Sequence, residues 1–173
     1  MVSGPYAGDK APDFTMPAVR CGEFTLSAEV RVSPVLLYFY PADYGMMCTY
    51  YAETMNEYAG DFKKAGIRVM YINPGSVGEH EGWMRRVSSA YDNISDIDQK
   101  VSRMYGMLVG SGNGPDVTPM TNRGFVLVDG NMTVRYVWRA EMAALTLDLG
   151  PLISELREIL GQPAAAVCAD NGR

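Results

Sequence analysis

The sequence predicts an α/β fold in which helices flank a central mixed β-sheet. Two short apolar runs, at 34–40 (PVLLYFY) and 67–72 (IRVMYI), enclose a segment with helical periodicity. Continuous apolar runs are typical of strands buried on both faces, and a strand–helix–strand succession forms a right-handed unit with parallel strands. Further on, Asp129-Gly130-Asn131 is a typical hairpin turn. A parallel pair and an antiparallel hairpin together make the sheet mixed.

The helix between the two runs is predicted from Cys48 to Ala65. Its apolar side chains recur at spacings of 4, 3 and 4, the pattern of a helix that buries one face. They are Tyr51, Met55, Tyr58 and Phe62. Gly66 follows, and glycine is favoured at the position after a helix end, where the backbone is often left-handed.

Two shorter helices are predicted from residue pairs typical of capping boxes. Ser76 with Glu79 predicts a helix through about residue 89, and Asp96 with Gln99 predicts a short one that ends before residue 106. His80, the sole histidine, falls in the first turn of the former helix. We expect its side chain to be solvated.

The last elements are a hairpin and a helix. Residues 123–128 and 132–138 flank the hairpin turn, and 149–160 carries a helical apolar stripe that ends at a glycine. The Gly- and Pro-rich segment 110–122 is expected to be a surface loop. A strand–helix–strand unit, then helices, a hairpin and a closing helix predict an α/β sandwich of thioredoxin type.

The length and composition indicate one globular domain. The chain has 173 residues, 47% of them hydrophobic and 20% charged, and we expect a domain over 1–161 followed by a tail over 162–173. The net charge of −5 has the wrong sign for binding nucleic acid or anionic membranes. No charge-free run exceeds 12 residues, and MVSGPYAGDK lacks a signal-peptide layout. We therefore expect a cytoplasmic protein without membrane or nucleic-acid partners.

Three cysteines carry most of the chemical interest, namely Cys21, Cys48 and Cys168. They form no CxxC pair and are too scattered for a disulfide scaffold, and with a single histidine they argue against a metal site. Cys48 comes where the first strand ends and the helix begins. There, unpaired N–H groups and the helix dipole favour a thiolate over a thiol. The alternative is that Cys48 is a small buried hydrophobic residue.

Four segments resemble the peroxiredoxins, the alkyl hydroperoxide reductase and thiol-specific antioxidant family. YFYPADYGMMCT resembles the segment of the reactive cysteine, in which a strand is followed by Pro, three residues, Thr or Ser, two residues and Cys. Pro41 and Cys48 keep that spacing. GDKAPDFTMPAV, VMYINPGSVGEHEGW and RGFVLVDGNMTVRYVW resemble the family's opening segment, second strand with its helix, and hairpin.

The resemblance implies a thiol peroxidase that reduces hydrogen peroxide or small organic hydroperoxides without a cofactor. Cys48 is implied as the nucleophile that becomes a sulfenic acid, and Pro41 as its shield from bulk water. Arg123 matches the family's arginine. Its permanent charge beside Cys48 is expected to stabilise the thiolate and the charge that develops as the O–O bond stretches.

The sequence departs from the family pattern at Gly45, which replaces the Thr or Ser whose hydroxyl bonds the thiolate and the peroxide. Losing that bond is expected to cost about 2–4 kcal/mol of transition-state stabilisation unless another group replaces it. Tyr44 and Thr49 are the candidate replacements. Gly45 therefore keeps a second hypothesis open, a redox sensor or holdase-like protein that oxidises slowly. A thiol-disulfide exchanger is a third, weakened by the absence of CxxC.

The sulfenic acid needs a second thiol. Glu53 occupies the position where some relatives carry that cysteine in the same helix, so we exclude that arrangement. Cys168 resembles the C-terminal resolving cysteine that reaches across a dimer, which implies a homodimer or a larger homo-oligomer. The alternative is an exposed tail cysteine and an external reductant, either a thioredoxin-like protein or a small thiol. Cys21 is expected to be structural or incidental.

Overall fold

A computed structural model describes residues 3–111, 118–141 and 147–161. The strands are β1 (Thr15–Ala18), β2 (Gly22–Thr25), β3 (Val35–Phe39), β4 (Arg68–Asn73), β5 (Asp92–Ser95), β6 (Leu108–Ser111), β7 (Thr118–Thr121), β8 (Gly124–Val128) and β9 (Val134–Arg139). Seven of them form one sheet in the order β2-β1-β5-β4-β3-β8-β9. The predicted tail, with Cys168, lies outside the described residues.

The sheet is mixed, as predicted. β3, β4 and β5 are parallel neighbours, whereas β8 pairs antiparallel with β3 and with β9. β1 pairs antiparallel with both β2 and β5. The two apolar runs are therefore adjacent parallel strands at the centre, and the hairpin extends the sheet from β3.

Six helices are present in the described ranges. They are α1 (Leu26–Glu29), α2 (Met46–Glu57), α3 (Ala59–Lys64), α4 (Val77–Arg86), α5 (Lys100–Met104) and α6 (Leu149–Leu160). The closing helix and the Ser76–Glu79 capping box are confirmed. The prediction of one helix over 48–65 is wrong, because the backbone at Tyr58 (φ −92°, ψ 5°) leaves the helical region and separates α2 from α3.

Two other predictions need correction. Gln99 has φ 53° and makes no side-chain cap; instead, Asp96 accepts the backbone N–H groups of Val101 and Ser102, at 3.0 and 2.8 Å. The segment 110–122 is in part a two-stranded ribbon, because β6 and β7 pair there. Within the described ranges, no helix is both long and apolar enough to cross a membrane.

The central strand β3 separates two hydrophobic cores. Leu36 and Tyr38 face the core that contains the buried sides of α2 and α6. Leu37 and Phe39 face the opposite core, with residues of α1 and α5. Successive side chains of a strand point to opposite faces, so the alternation along β3 places its tyrosine on the side of Cys48.

Candidate active site

Cys48 lies in the first turn of α2, just beyond the end of β3. Gly45 is the N-cap residue of this helix and supplies no side-chain cap, and no described residue accepts the backbone N–H of Met46, Met47 or Cys48. The side chain of Cys48 is buried, with 7% of the residue exposed. The thiol is therefore close to the positive end of a helix and shielded from most of the solvent.

Arg123 reaches the Cys48 sulfur from the side of β8, the strand that lies next to β3 in the sheet. It directly precedes β8, and the register of that strand pairs Gly124 with Phe39 at the end of β3. Its Nη2 lies 3.3 Å from the Sγ of Cys48, and only 1% of the residue is exposed. The structure therefore brings together Cys48 and Arg123, which are 75 residues apart in sequence.

Aromatic rings surround the Arg123 guanidinium. Its Cζ lies 5.3 Å from the ring centre of Tyr51 and 5.9 Å from that of Tyr38, and its Nη1 donates a hydrogen bond to the Tyr38 hydroxyl. Burial acts to lower the pKa of Arg123, but Tyr38 and Cys48 outweigh it and raise that pKa. The guanidinium therefore keeps its positive charge beside the sulfur.

The loop between β3 and α2 is held by a carboxylate that the sequence did not single out. Asp43 accepts hydrogen bonds from the Tyr40 hydroxyl at 2.6 Å and from Asn73 Nδ2 at 2.8 Å. Nδ1 of His80 lies 2.6 Å from its other oxygen. Asp43 thus joins the loop to β4 and α4.

His80 is therefore not solvated, contrary to expectation. It is fully buried, and among the described residues its Nε2 has no hydrogen-bond partner. Tyr44, next to Asp43, has φ 62° and lays its ring at 5.3 Å from Trp83, under the guanidinium of Arg86. Two consecutive loop residues thus dock on α4.

Neither candidate replacement for the missing hydroxyl bonds the sulfur. Thr49 Oγ1 donates to the carbonyl of Gly45 at 2.8 Å, and Tyr44 packs on α4. Pro41 is half-buried and, together with Asp43, lines a cavity of about 230 Å³. Its shielding of Cys48 stays a prediction.

Cys21 has a different environment. It is exposed in the turn between β1 and β2, where its backbone N–H donates to Asp92 at 3.0 Å. Partial burial and the Asp92 carboxylate raise the pKa of its thiol. A raised pKa disfavours the reactive thiolate. In the described part of the chain, no group of three His, Cys, Asp or Glu residues is arranged to hold a metal ion.

Comparison with known proteins places the chain in a family. Residues 7–137 match the AhpC/TSA family. The chain is 32% identical over 136 residues to peroxiredoxin of Thermoplasma volcanium and 31% identical over 136 residues to peroxiredoxin 2 of Thermoplasma acidophilum. Each match covers 75% of this chain, which spans 63% and 64% of the length of these two relatives.

A solved structure shows the same fold. A cysteine-to-serine variant of Arenicola marina peroxiredoxin 6 superposes with a TM-score of 0.80 at 18% identity, covering 91% of this chain and 74% of the other. The sheet, its flanking helices and the family match agree on one class of protein, a thioredoxin-like α/β domain with a single thiol at the start of a helix. The chain belongs to the AhpC/TSA family, the peroxiredoxins.

Proposed function

We propose that this protein is a thiol-dependent peroxidase that reduces hydrogen peroxide or small organic hydroperoxides at Cys48. The observation that carries the proposal is the 3.3 Å contact between Arg123 Nη2 and the Cys48 sulfur in a buried site at a helix start. A fixed cation and unpaired N–H groups beside one sulfur favour an anion there. The family match and the names of the relatives support the same reaction.

The reaction proceeds in one nucleophilic displacement at a peroxide oxygen, with sulfur as the nucleophile. The Cys48 thiolate attacks one peroxide oxygen, an S–O bond forms and the O–O bond breaks. The electron pair of the O–O bond leaves with the other oxygen, which takes up a proton to become water or an alcohol. Sulfur is oxidised to the sulfenic acid, and the peroxide is reduced. Arg123 stabilises the negative charge as it spreads over the two oxygens.

A second thiol then reacts with the sulfenic acid. Its sulfur attacks the sulfenic sulfur, a disulfide forms and water leaves. Exchange of this disulfide with a thiol reductant, which is itself oxidised to a disulfide, returns Cys48 to the thiol and completes the cycle. We assign the attack on the sulfenic sulfur to Cys168 of the partner subunit in a homodimer; the alternative is an external thiol, either a thioredoxin-like protein or a small thiol. We further propose a cytoplasmic location, where such reductants keep thiols reduced.

Stopped-flow measurement of peroxide consumption tests the proposed reaction. The wild type is expected to consume peroxide rapidly in the presence of a thiol reductant, and Cys48→Ser to consume none above background. Slow, stoichiometric oxidation of the wild type without turnover would instead indicate a redox sensor, the hypothesis that Gly45 keeps open.

A nonreducing gel tests the second thiol. After one equivalent of peroxide, the wild type is expected to give a covalent dimer that both Cys48→Ser and Cys168→Ser abolish. A dimer that persists in Cys168→Ser contradicts the Cys168 assignment. Sulfenic acid that stays monomeric until an external thiol is added supports the alternative. Sedimentation of the reduced protein reports the oligomeric state separately from the disulfide.

A further inference from the structure

Among the described residues, the side-chain hydrogen bond to the Cys48 sulfur comes from Arg123. Position 45 has no side chain, and the Thr49 hydroxyl donates to the Gly45 carbonyl. The proposed peroxidase site therefore depends on where one guanidinium points. A long arginine side chain has several rotatable bonds, so something must fix its orientation.

Tyr38 is placed to do this. The Arg123 guanidinium is a planar fork with two terminal nitrogens, of which Nη1 donates to the Tyr38 hydroxyl and Nη2 faces the sulfur at 3.3 Å. The guanidinium is planar and is attached to the backbone through its own side chain, so holding Nη1 restricts the direction of Nη2. The Tyr38 oxygen also gives the buried Nη1 an acceptor, which avoids the cost of an unmet donor.

The position and the charge state of Tyr38 are themselves well determined. The residue is the fourth of the five residues of β3, is 1% exposed and stacks on Tyr40 and Phe125, with ring centres at 5.3 and 4.9 Å. Burial raises the pKa of Tyr38 well above its ordinary value, although Arg123 acts in the opposite direction. The hydroxyl therefore stays neutral, so the charge of Arg123 is not cancelled by its anchor.

We propose that Tyr38 is a positioning residue for the peroxidase reaction and compensates for the absence of a side chain at position 45. The inference rests on the proposed function. It makes a specific claim about coupling: when position 45 supplies no donor to the sulfur, the orientation of Arg123 decides the rate. When position 45 does supply one, the site depends less on Tyr38.

Tyr38→Phe removes the hydroxyl that accepts the hydrogen bond from Arg123 Nη1, and it keeps the aromatic ring. We expect the second-order rate constant for Cys48 oxidation by hydrogen peroxide to fall about 10- to 100-fold, the scale of one lost transition-state donor or less. Tyr71→Phe is the matched control. Tyr71 packs edge-on to Tyr38 at 5.0 Å in the same core, and among the described residues its hydroxyl has no hydrogen-bond partner. That variant should keep the wild-type rate.

A double-mutant cycle with Gly45→Thr separates positioning from general damage. Gly45 has φ −64° and ψ 141°, which a side chain tolerates, and a Cβ there would lie 3.6 Å from the Cys48 sulfur, an ordinary contact. In the Gly45→Thr background, Tyr38→Phe should cost about threefold or less. An equal cost in both backgrounds overturns the compensation.

Two further outcomes contradict the inference in distinguishable ways. If the wild type shows rapid peroxide consumption that depends on Cys48, and Tyr38→Phe matches its rate, the proposed function stands and the role of Tyr38 is refuted. If the wild type itself consumes no peroxide, the proposed function fails and the role of Tyr38 falls with it. The thermal unfolding midpoint of each variant shows whether a lost rate reflects unfolding.

Discussion

Cys48 and Cys21 lie at opposite ends of the central sheet, and their environments are chemically opposed. Cys48 follows the end of β3, whereas Cys21 lies beside Asp92, the first residue of the parallel strand β5. Cys48 is buried and faces a guanidinium. Cys21 is exposed and faces a carboxylate, and a cavity of about 530 Å³ opens next to it.

The exposure of a thiol and the sign of its neighbouring charge are separate properties in this protein. The more accessible sulfur has the neighbour that opposes its ionisation, and the less accessible sulfur has the neighbour that favours it. Because the thiolate is the nucleophile, the sign of the adjacent charge matters more than the exposed area. We therefore expect peroxide to oxidise Cys48 faster than Cys21.

The largest expected effect comes from exchanging each thiol for a hydroxyl. Cys48→Ser should lower the rate of peroxide consumption by at least about 1,000-fold, as when a nucleophile is removed from other enzymes. Cys21→Ser should change it by less than about twofold, as is usual for exposed positions. Both are measured by stopped-flow mixing with excess reductant. Comparable losses in the two variants would remove the distinction between the sites.

The next largest effect is expected from the cation at each site. Arg123→Lys keeps a positive charge but loses the planar fork, so we expect the rate of Cys48 oxidation to fall about 100- to 1,000-fold. Arg20→Lys is the control beside Cys21, where the Arg20 guanidinium donates to the carbonyl of Ala90 at 3.1 Å. It should leave that rate unchanged. A normal rate in Arg123→Lys contradicts the need for the fork.

The loop that carries Cys48 should be sensitive to the loss of its anchor. His80→Ala removes the hydrogen-bond partner of a buried Asp43 oxygen, and leaving a buried polar group without its partner costs about 1–3 kcal/mol. We expect the free energy of unfolding in urea to fall by about 2 kcal/mol. Arg85→Ala, which breaks an exposed pair with Glu81, should cost about 0.5 kcal/mol or less. Equal costs would mean that the buried pair contributes no more than an exposed one.

The smallest effect concerns the pH dependence of Cys21. In a Cys48→Ser, Cys168→Ser background, iodoacetamide labels Cys21 alone, and the labelling rate should rise with pH to a midpoint above that of an ordinary cysteine, because burial and Asp92 raise the pKa of this thiol. Asp92→Asn removes the negative charge, so the midpoint should move to lower pH. A midpoint that does not move would assign the raised pKa to burial alone.

Much of this fold was predictable because its central elements have strong sequence periods. The apolar runs gave β3 and β4, and the stripe over 149–160 gave α6. The strands β1, β2 and β5 were missed, since each has only four residues and no clear alternation. The break at Tyr58 was missed because its side chain continues the helical stripe.

The site was predictable only in part. Cys48 was predicted from its place at a helix start and from the family resemblance, and Arg123 from the resemblance alone; the structure places them in contact. Asp43, His80 and Tyr38 have no local signal, because each depends on a partner that the fold brings from a distant part of the chain. An aspartate in a loop and a tyrosine in an apolar run are ordinary until their neighbours are known.

The side chains of β3 alternate between the two cores, so the geometry of the site depends on the register of this strand. A slip of one residue against β4 or β8 would turn Tyr38 into the opposite core and present Leu37 or Phe39 to Arg123. A misregistered sheet would thus bury a hydroxyl among aliphatic side chains and leave a guanidinium against hydrocarbon. Correct pairing of β3 is therefore needed both to fill the two cores and to bring the Tyr38 hydroxyl to Arg123.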